Sequence, residues 1–246
     1  MQSLLITLQH RPYVFAFLSA FLVIGLLNQG VTRTFLFLII GYSVAFLSEF
    51  CSIRWGIPYG MYHYIYENMP GEMMLGGVPV WDSVSYVFMA YASWETARGR
   101  ILSSALLMTL LDIITDPLAV RGDQWFLGRI FYYPDGGLYF GVPLSNFAGW
   151  FLVGLVIFSI YSFIENVGVR YIEPLQRPRA TILGPLFYLS IMLFNLVITF
   201  WIGEWRLGLA SAGICLIVMS TAVRGVFLYR RKPAAPSKFS FAKFRS

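Results

Sequence analysis

The chain contains seven apolar stretches that are each long enough, or nearly long enough, to cross a lipid bilayer as a helix. One crossing of ~30 Å of hydrocarbon needs roughly 20 apolar residues. The stretches are residues 12–27, 34–50, 78–97, 101–118, 145–164, 181–202 and 207–228. Charged residues make up only 12% of the chain, against ~25% in an average soluble domain. The sequence therefore predicts an all-α, polytopic transmembrane helix bundle of about seven spans.

The first stretch is short and resembles the apolar part of a signal peptide. No small-residue cleavage site follows Leu27, because the next residues are Asn28, Gln29 and Gly30. We therefore expect a span here, within a single transmembrane domain of residues 1–229. Residues 230–246, with two prolines and several cations, are expected to form a basic, disordered tail.

The net charge of +6 does not describe a nucleic-acid-binding surface, because seven of the 18 basic residues lie between Arg224 and Arg245. Alternating spans put thirteen basic residues on one side of the membrane and five on the other. The positive-inside rule then predicts a multi-pass cell-membrane protein with its N-terminus outside and its C-terminus in the cytoplasm. Cys51 and Cys215 are expected to be buried thiols, since they form no disulfide or metal-binding pattern.

The two long connections, residues 51–77 and 119–144, are unusually aromatic for loops on the outer side. They hold seven of the 15 tyrosines, together with Trp55 and Trp125. Water-exposed loops rarely carry so much apolar surface. We expect them to fold back at interfacial depth as short helices or re-entrant segments that cap the bundle. The alternative is an aromatic belt that anchors the protein among the lipid headgroups.

Acidic residues within the spans gather on the same side as these connections. Buried ionisable groups in membranes are costly, so they usually mark a function or a paired structural site. Alternation places the following polar residues beneath the aromatic connections: Glu49, Asp82, Asp112, Asp116, Asn146, Asn195 and Glu204. Glu95 lies at the opposite end of its span beside Arg98 and Arg100, where an ion pair is expected.

Asp112 and Asp116 are four residues apart, so a helix presents both carboxyls on one face. In a low-dielectric site, desolvation and the neighbouring carboxylate favour keeping at least one of them protonated, as a general acid requires. The alternative for Asp116 is a structural role, as a helix cap before Pro117 or as a partner of Arg121 or Arg129.

Most other catalytic patterns are missing from the sequence. There is no GxSxG, HExxH, phosphate-binding glycine loop or Rossmann fingerprint. Only two histidines occur, which excludes the histidine-cluster di-iron chemistry of membrane hydroxylases. His63, between two tyrosines, is a secondary candidate.

Four segments with a common order and spacing resemble a known family. They are Glu49 followed by Trp55-Gly56-Ile57-Pro58-Tyr59-Gly60-Met61-Tyr62-His63-Tyr64; Gly77-Val78-Pro79-Val80-Trp81-Asp82; Leu111 to Pro117 followed by Gly122-Asp123-Gln124-Trp125; and Tyr139 to Trp150. Together they resemble the integral-membrane carotenoid biosynthesis family that contains the CruF-type carotenoid hydratases, including hydratases of the bacterioruberin pathway. The resemblance spans roughly residues 34–165.

The resemblance implies addition of water to the terminal double bond of an acyclic carotenoid end group, which gives a tertiary alcohol. The substrate, such as lycopene, would enter from the bilayer and water would be the co-substrate, with no metal, nucleotide or redox cofactor. The candidate catalytic residues are Asp112, Asp116, Glu49 and Asp82, with one of the first two as the acid. The candidate substrate contacts are Trp55, Tyr59, Tyr62, His63, Trp81, Asp123, Trp125, Asn146 and Asn195. The aromatic faces would stabilise the cationic intermediate, and Asn146 or a second carboxylate would direct the water.

Three other functions suit a membrane bundle with buried acids. Clustered aspartates could hold a magnesium–pyrophosphate in a membrane prenyltransferase, although cations near the site are few. Intramembrane acids also carry protons in coupled transporters. A third possibility is a protein that binds carotenoid without changing it.

Overall fold

The computed structural model describes residues 7–169 and 182–230, so the tail expected beyond residue 230 lies outside the described residues. Its helices are α1 (Pro12–Trp55), α2 (Val80–Thr96), α3 (Ile101–Ala119), α4 (Leu144–Ile164), α5 (Leu183–Trp201) and α6 (Trp205–Arg230). A π-helical turn, Glu165–Val169, extends α4. Two-residue strands lie in the two long connections between helices: β1 (His63–Tyr64), β2 (Met74–Leu75), β3 (Val78–Pro79) and β4 (Phe131–Tyr132).

Helix α1 contains the first two predicted spans, joined at Gly30. This residue has φ +83° and ψ 177°, which a helix does not allow and glycine adopts without steric cost. The two arms pack against each other, since the rings of Phe21 and Phe37 are 6.4 Å apart. Sixteen positions of straight helix would separate these residues by roughly 24 Å. The arms therefore form an antiparallel hairpin, and the apolar stretches 12–27 and 34–50 lie in separate helical arms.

The helices form an all-α bundle with apolar outer surfaces. In the described part of the chain, four helical segments are long and apolar enough to cross a membrane: Pro12–Trp55, Ile101–Ala119, Leu144–Val169 and Leu183–Trp201. Helix α2 and the apolar part of α6 are slightly shorter. Exposed leucine and valine side chains such as Leu193, Val197 and Leu209 cover the outer faces, as hydrocarbon surroundings require. The predicted transmembrane bundle is confirmed.

The packing of the bundle interior is dominated by aromatic side chains and small residues. Tyr91 packs edge-on against Phe21 and Phe37, at ring distances of 4.9 and 5.5 Å. Gly154 of α4 lies so close to Ala105 of α3 that an added Cβ would be 3.3 Å from its Cα. Close backbone approach through small residues is typical of helices packed within membranes.

The two aromatic connections join at one end of the bundle into a structure that we call the cap, residues 56–79 and 120–143. Strands β1 and β4 pair antiparallel, with His63 opposite Tyr132. The backbone N–H of Ile65 donates to the oxygen of Ile130 at 2.8 Å, which extends this link. Short strands and single 3₁₀ turns, rather than α-helices, build the cap. The pairing confirms that both connections lie at the same end of the bundle.

Candidate functional site

A cavity of about 150 Å³ lies beneath the cap. It is lined by side chains from α1 to α5 and from both parts of the cap. The four predicted acids, Glu49, Asp82, Asp112 and Asp116, all line it. Each is close to the helix end that faces the cap, so their convergence follows from the alternation of the spans.

Asp112 and Asp116 form an acid pair on the inner face of α3. Asn146 Nδ2 donates to Asp112 Oδ2 at 2.7 Å and to Asp116 Oδ2 at 3.1 Å, so both amide hydrogens are used. Tyr133 of the cap donates its hydroxyl to Asp116 Oδ2 at 2.8 Å. Asp112 and Asn146 are 1% and 2% exposed, which leaves them no bulk water as an alternative partner.

Tyr133 is held as a hydrogen-bond donor in this arrangement. Burial raises the pKa of its hydroxyl well above the ordinary tyrosine value, and the charges of Asp116 and Asp112 raise it further. The hydroxyl therefore keeps its proton at neutral pH and donates to the acid pair. Tyr133 was not among the residues selected from the sequence, because nothing in its local pattern distinguishes it from the other cap tyrosines.

Arg121, one of the two cations proposed as structural partners of Asp116, binds other groups instead. The guanidinium of Arg121 lies 2.9 Å from Glu204 Oε1 and donates to the carbonyl oxygens of Pro117 and Phe140, each at 2.8 Å. The other proposed partner, Arg129, is exposed. Asp116 thus remains directed at Asn146 and Tyr133.

Glu49 and Asp82 lie on another side of the cavity, with different partners. Glu49 is 3% exposed and accepts a hydrogen bond from Ser83 Oγ at 2.7 Å. Asp82 accepts an ion-paired hydrogen bond from Arg11, and the same guanidinium lies 3.0 Å from Glu72 Oε2 of the cap. We call Arg11, Asp82 and Glu72 the Arg11 cluster.

Arg11 is 2% exposed, which its place before the first span did not predict. Burial disfavours its charged form, but Asp82, Tyr13 and Glu72 together hold its pKa above the ordinary arginine value. Burial raises the pKa of Glu72, and Arg11 opposes that rise. The cluster therefore places one permanent positive charge between two carboxyl groups at the rim of the cavity.

Tyrosines and tryptophans form much of the remaining lining. Tyr59 is 1% exposed; its hydroxyl lies 2.7 Å from Ser48 Oγ, and its backbone N–H donates to Ser52 Oγ at 3.0 Å. Trp150 and Tyr86 stack with ring centroids 4.1 Å apart. Trp125 donates its indole N–H to the oxygen of Leu118 at 3.1 Å.

Nine of the thirteen predicted site residues line the cavity: Glu49, Tyr59, Tyr62, Asp82, Asp112, Asp116, Trp125, Asn146 and Asn195. The other four, Trp55, His63, Trp81 and Asp123, do not.

Each of these four has a simple reason for its position. Trp55 ends α1 and is 65% exposed. Trp81 precedes Asp82 on α2, and consecutive helical side chains point about 100° apart, so Trp81 packs on Phe15 instead. His63 and Asp123 lie on the outer surface of the cap.

Within the described residues, 7–169 and 182–230, no three histidine, cysteine, aspartate or glutamate side chains come together as a metal-binding group. Glu95, at the opposite end of the bundle, accepts a hydrogen bond from Asn28 Nδ2 at 2.8 Å.

Comparison with known proteins agrees with the resemblance seen in the motifs. Residues 11–220 match the family described as carotenoid biosynthesis protein. The chain belongs to this family. It is also 32% identical, over 134 residues, to a bisanhydrobacterioruberin hydratase from Haloarcula japonica. The match covers 50% of this chain and 43% of that relative. No solved structure matches the chain.

Proposed function

We propose that the protein is a carotenoid hydratase, which adds water to the terminal double bond of an acyclic carotenoid end group. The observation that carries the proposal is the acid pair, which shares the amide of Asn146 inside a cavity whose lining is mostly aromatic and aliphatic. Protonation of an unactivated alkene requires an acid kept away from water beside an apolar binding surface. The name of the Haloarcula relative supports the same reaction class.

The reaction is redox-neutral and balances with water alone. A carboxyl proton of the acid pair adds to the less substituted carbon of the double bond, whose π electrons form the new C–H bond. The positive charge falls on the tertiary carbon, and the oxygen of a water molecule bonds to it. That oxygen then loses a proton to the carboxylate, which regenerates the acid.

In this proposal the four acids have different roles, because they contact different partners. Asp112 and Asp116 supply the proton. Their hydrogen-bond donors, Asn146 and Tyr133, are neutral groups, so neither carboxyl is held in its ionised form by a neighbouring cation. Glu49, bound by Ser83, orients the water from another side of the cavity. Asp82 is ion-paired with Arg11, so in this proposal it positions the site.

The substrate enters from the bilayer in this proposal, since the cap covers the end of the bundle above the cavity. The excess of basic residues on the side opposite the cap supports an orientation with the cap and the N-terminus outside the cell. The protein would act on the end group, and the long polyene would extend among the helices or into lipid.

Expression in a lycopene-accumulating host, followed by mass analysis of the pigments, tests the reaction. We expect a gain of one water per reacted end group, with ¹⁸O incorporated from labelled water. Turnover should persist anaerobically and in EDTA, because the reaction needs no redox or metal chemistry.

Other outcomes identify the rivals. Loss of activity with EDTA and a pyrophosphate product would indicate a prenyltransferase. Substrate flux in proteoliposomes without chemical change would indicate a transporter. Bound pigment of unchanged mass would indicate a carotenoid-binding protein. A strict requirement for O₂ would overturn hydration.

A further inference from the structure

Trp150 of α4 and Tyr86 of α2 form the closest ring stack in the described part of the cavity lining. Their centroids are 4.1 Å apart and their planes differ by 10°. Both side chains line the cavity, although they are only 7% and 8% exposed. The stack is therefore a rigid, almost dry part of the cavity surface.

The stack lies next to both groups of acids. Trp150 is one helical turn after Asn146, which binds Asp112 and Asp116. Tyr86 is one turn after Asp82 on α2, and Ser83, on the same stretch of helix, donates to Glu49. A substrate atom between the proton donor and the water-directing carboxyl would thus be close to these rings.

Neighbouring groups fix the stack in position. The ring of Tyr59 lies 6.0 Å from Tyr86 and 6.3 Å from Trp150. Gly149 makes room for Tyr59, because a Cβ there would be 2.6 Å from Tyr59 Cδ1. Preorganised groups stabilise developing charge without a reorganisation cost.

We propose that Trp150, stacked on Tyr86, is the catalytic aromatic residue that stabilises the tertiary cation of the hydration reaction. This inference rests on the proposed function. An indole attracts a cation through its ring electrons, and its attraction is strongest when water is absent. A carboxylate at the same place could instead trap the cation as an ester, which would divert it from water.

The other tryptophans near the site are less suited to this role. The ring of Trp125 packs against Tyr13 at 5.9 Å and Phe126 at 4.9 Å, on the rim formed by the cap. Trp81 packs on Phe15, outside the cavity lining. Trp150 alone among these three is adjacent to the residue that joins the acid pair.

Site-specific replacement of Trp150 by mono-, di- and tetrafluorinated tryptophan tests the inference. Fluorination withdraws electron density from the ring and weakens its attraction for cations, but it leaves shape and packing nearly unchanged. We expect turnover, normalised to folded protein, to fall stepwise with each fluorine and to reach about a tenfold loss. Carotenoid binding, followed by its absorption spectrum, should stay the same.

Trp94 provides a matched control at the opposite end of the bundle. It is 8% exposed and stacks on Phe158 at 5.5 Å, but it does not line the cavity. Its fluorination should leave turnover unchanged. Equal rates across the Trp150 series, with wild-type protein active, would overturn the inference alone. Failure of the wild-type protein to form hydrated product would overturn the proposed function.

Discussion

At the residue scale, the candidate site depends on pairings that join helices and cap. The amide of Asn146 binds both members of the acid pair, and Tyr133 adds a donor from the cap. Arg11 connects the start of α1 to Asp82 on α2 and to Glu72 in the cap. The proposed proton donors and the ion pairs of Arg11 therefore belong to two separate clusters, which can be tested independently.

Asp112→Asn and Asp116→Asn test the proton donor. Each amide keeps the shape of the side chain but removes its transferable proton, so we expect turnover to fall by about 10²–10⁴-fold if that residue is the acid. Pigment hydration per folded protein is the measurement. Asp135→Asn, at an exposed cap position, is the control. Near-wild-type rates in both variants would move the acid elsewhere, with Glu49 next.

Arg11→Met tests the Arg11 cluster. It leaves Asp82 and Glu72 without their shared cation in a buried place, which should destabilise the protein by about 3–5 kcal/mol. Thermal unfolding in detergent measures the loss. The double variant Arg11→Met, Asp82→Asn should recover part of it, because one uncompensated charge is removed. Arg129→Met, at an exposed position, should change stability by less than about 0.5 kcal/mol. A thermally unchanged Arg11→Met protein would contradict a stabilising cluster.

At the element scale, the cap is held to the bundle by close backbone approach as well as by ion pairs. Gly149, near the start of α4, faces Pro58 and Tyr59 of the cap. Ser145 Oγ also donates to the oxygen of Tyr59 at 3.1 Å. One part of the cap thus packs against the first two turns of α4.

Gly149→Ala should loosen the cap. The new Cβ would be 2.6 Å from Tyr59 Cδ1 and 2.8 Å from the oxygen of Pro58, so either the cap or α4 must shift. Overpacking of this kind costs about 1–3 kcal/mol. We expect a lower unfolding temperature and faster proteolysis within residues 56–79. Gly213→Ala, where a Cβ meets nothing within 4 Å, is the matched control. Equal behaviour of the two variants would show that the cap does not depend on this contact.

At the scale of the whole molecule, the cavity lies at one end of the membrane-spanning bundle, and the positive-inside rule predicts which side of the membrane that end faces. Leu138 in the cap is 89% exposed, and Asn166, at the other end of α4, is exposed as well. Labels attached at these two positions can therefore show which side of the membrane each end of the bundle faces.

Cysteine accessibility tests the orientation. In a background of Cys51→Ala and Cys215→Ala, an impermeant maleimide should label Leu138→Cys in intact cells, while Asn166→Cys should react only after permeabilisation. The reverse pattern would place the cap in the cytoplasm and contradict the positive-inside prediction.

The sequence alone determined the number of helices, their alternation and the side on which the acids gather. These properties depend on the lengths of apolar stretches and on the parity of crossings, which the bilayer imposes locally. The same reasoning predicted that Asp112, Asp116 and Asn146 lie at one end of the bundle, and the spacing of four residues predicted that the two aspartates share one face of their helix.

Only the tertiary structure decided which side chains meet. The pairing of Arg11 with Asp82, the donation of Tyr133 to Asp116 and the stack of Trp150 on Tyr86 join residues far apart in the chain. Such contacts depend on the rotation of each helix about its axis and on which helices are neighbours, which hydropathy does not encode. Trp81 shows the difference clearly: it adjoins Asp82 in sequence, but one residue of helical rotation turns its ring away from the cavity.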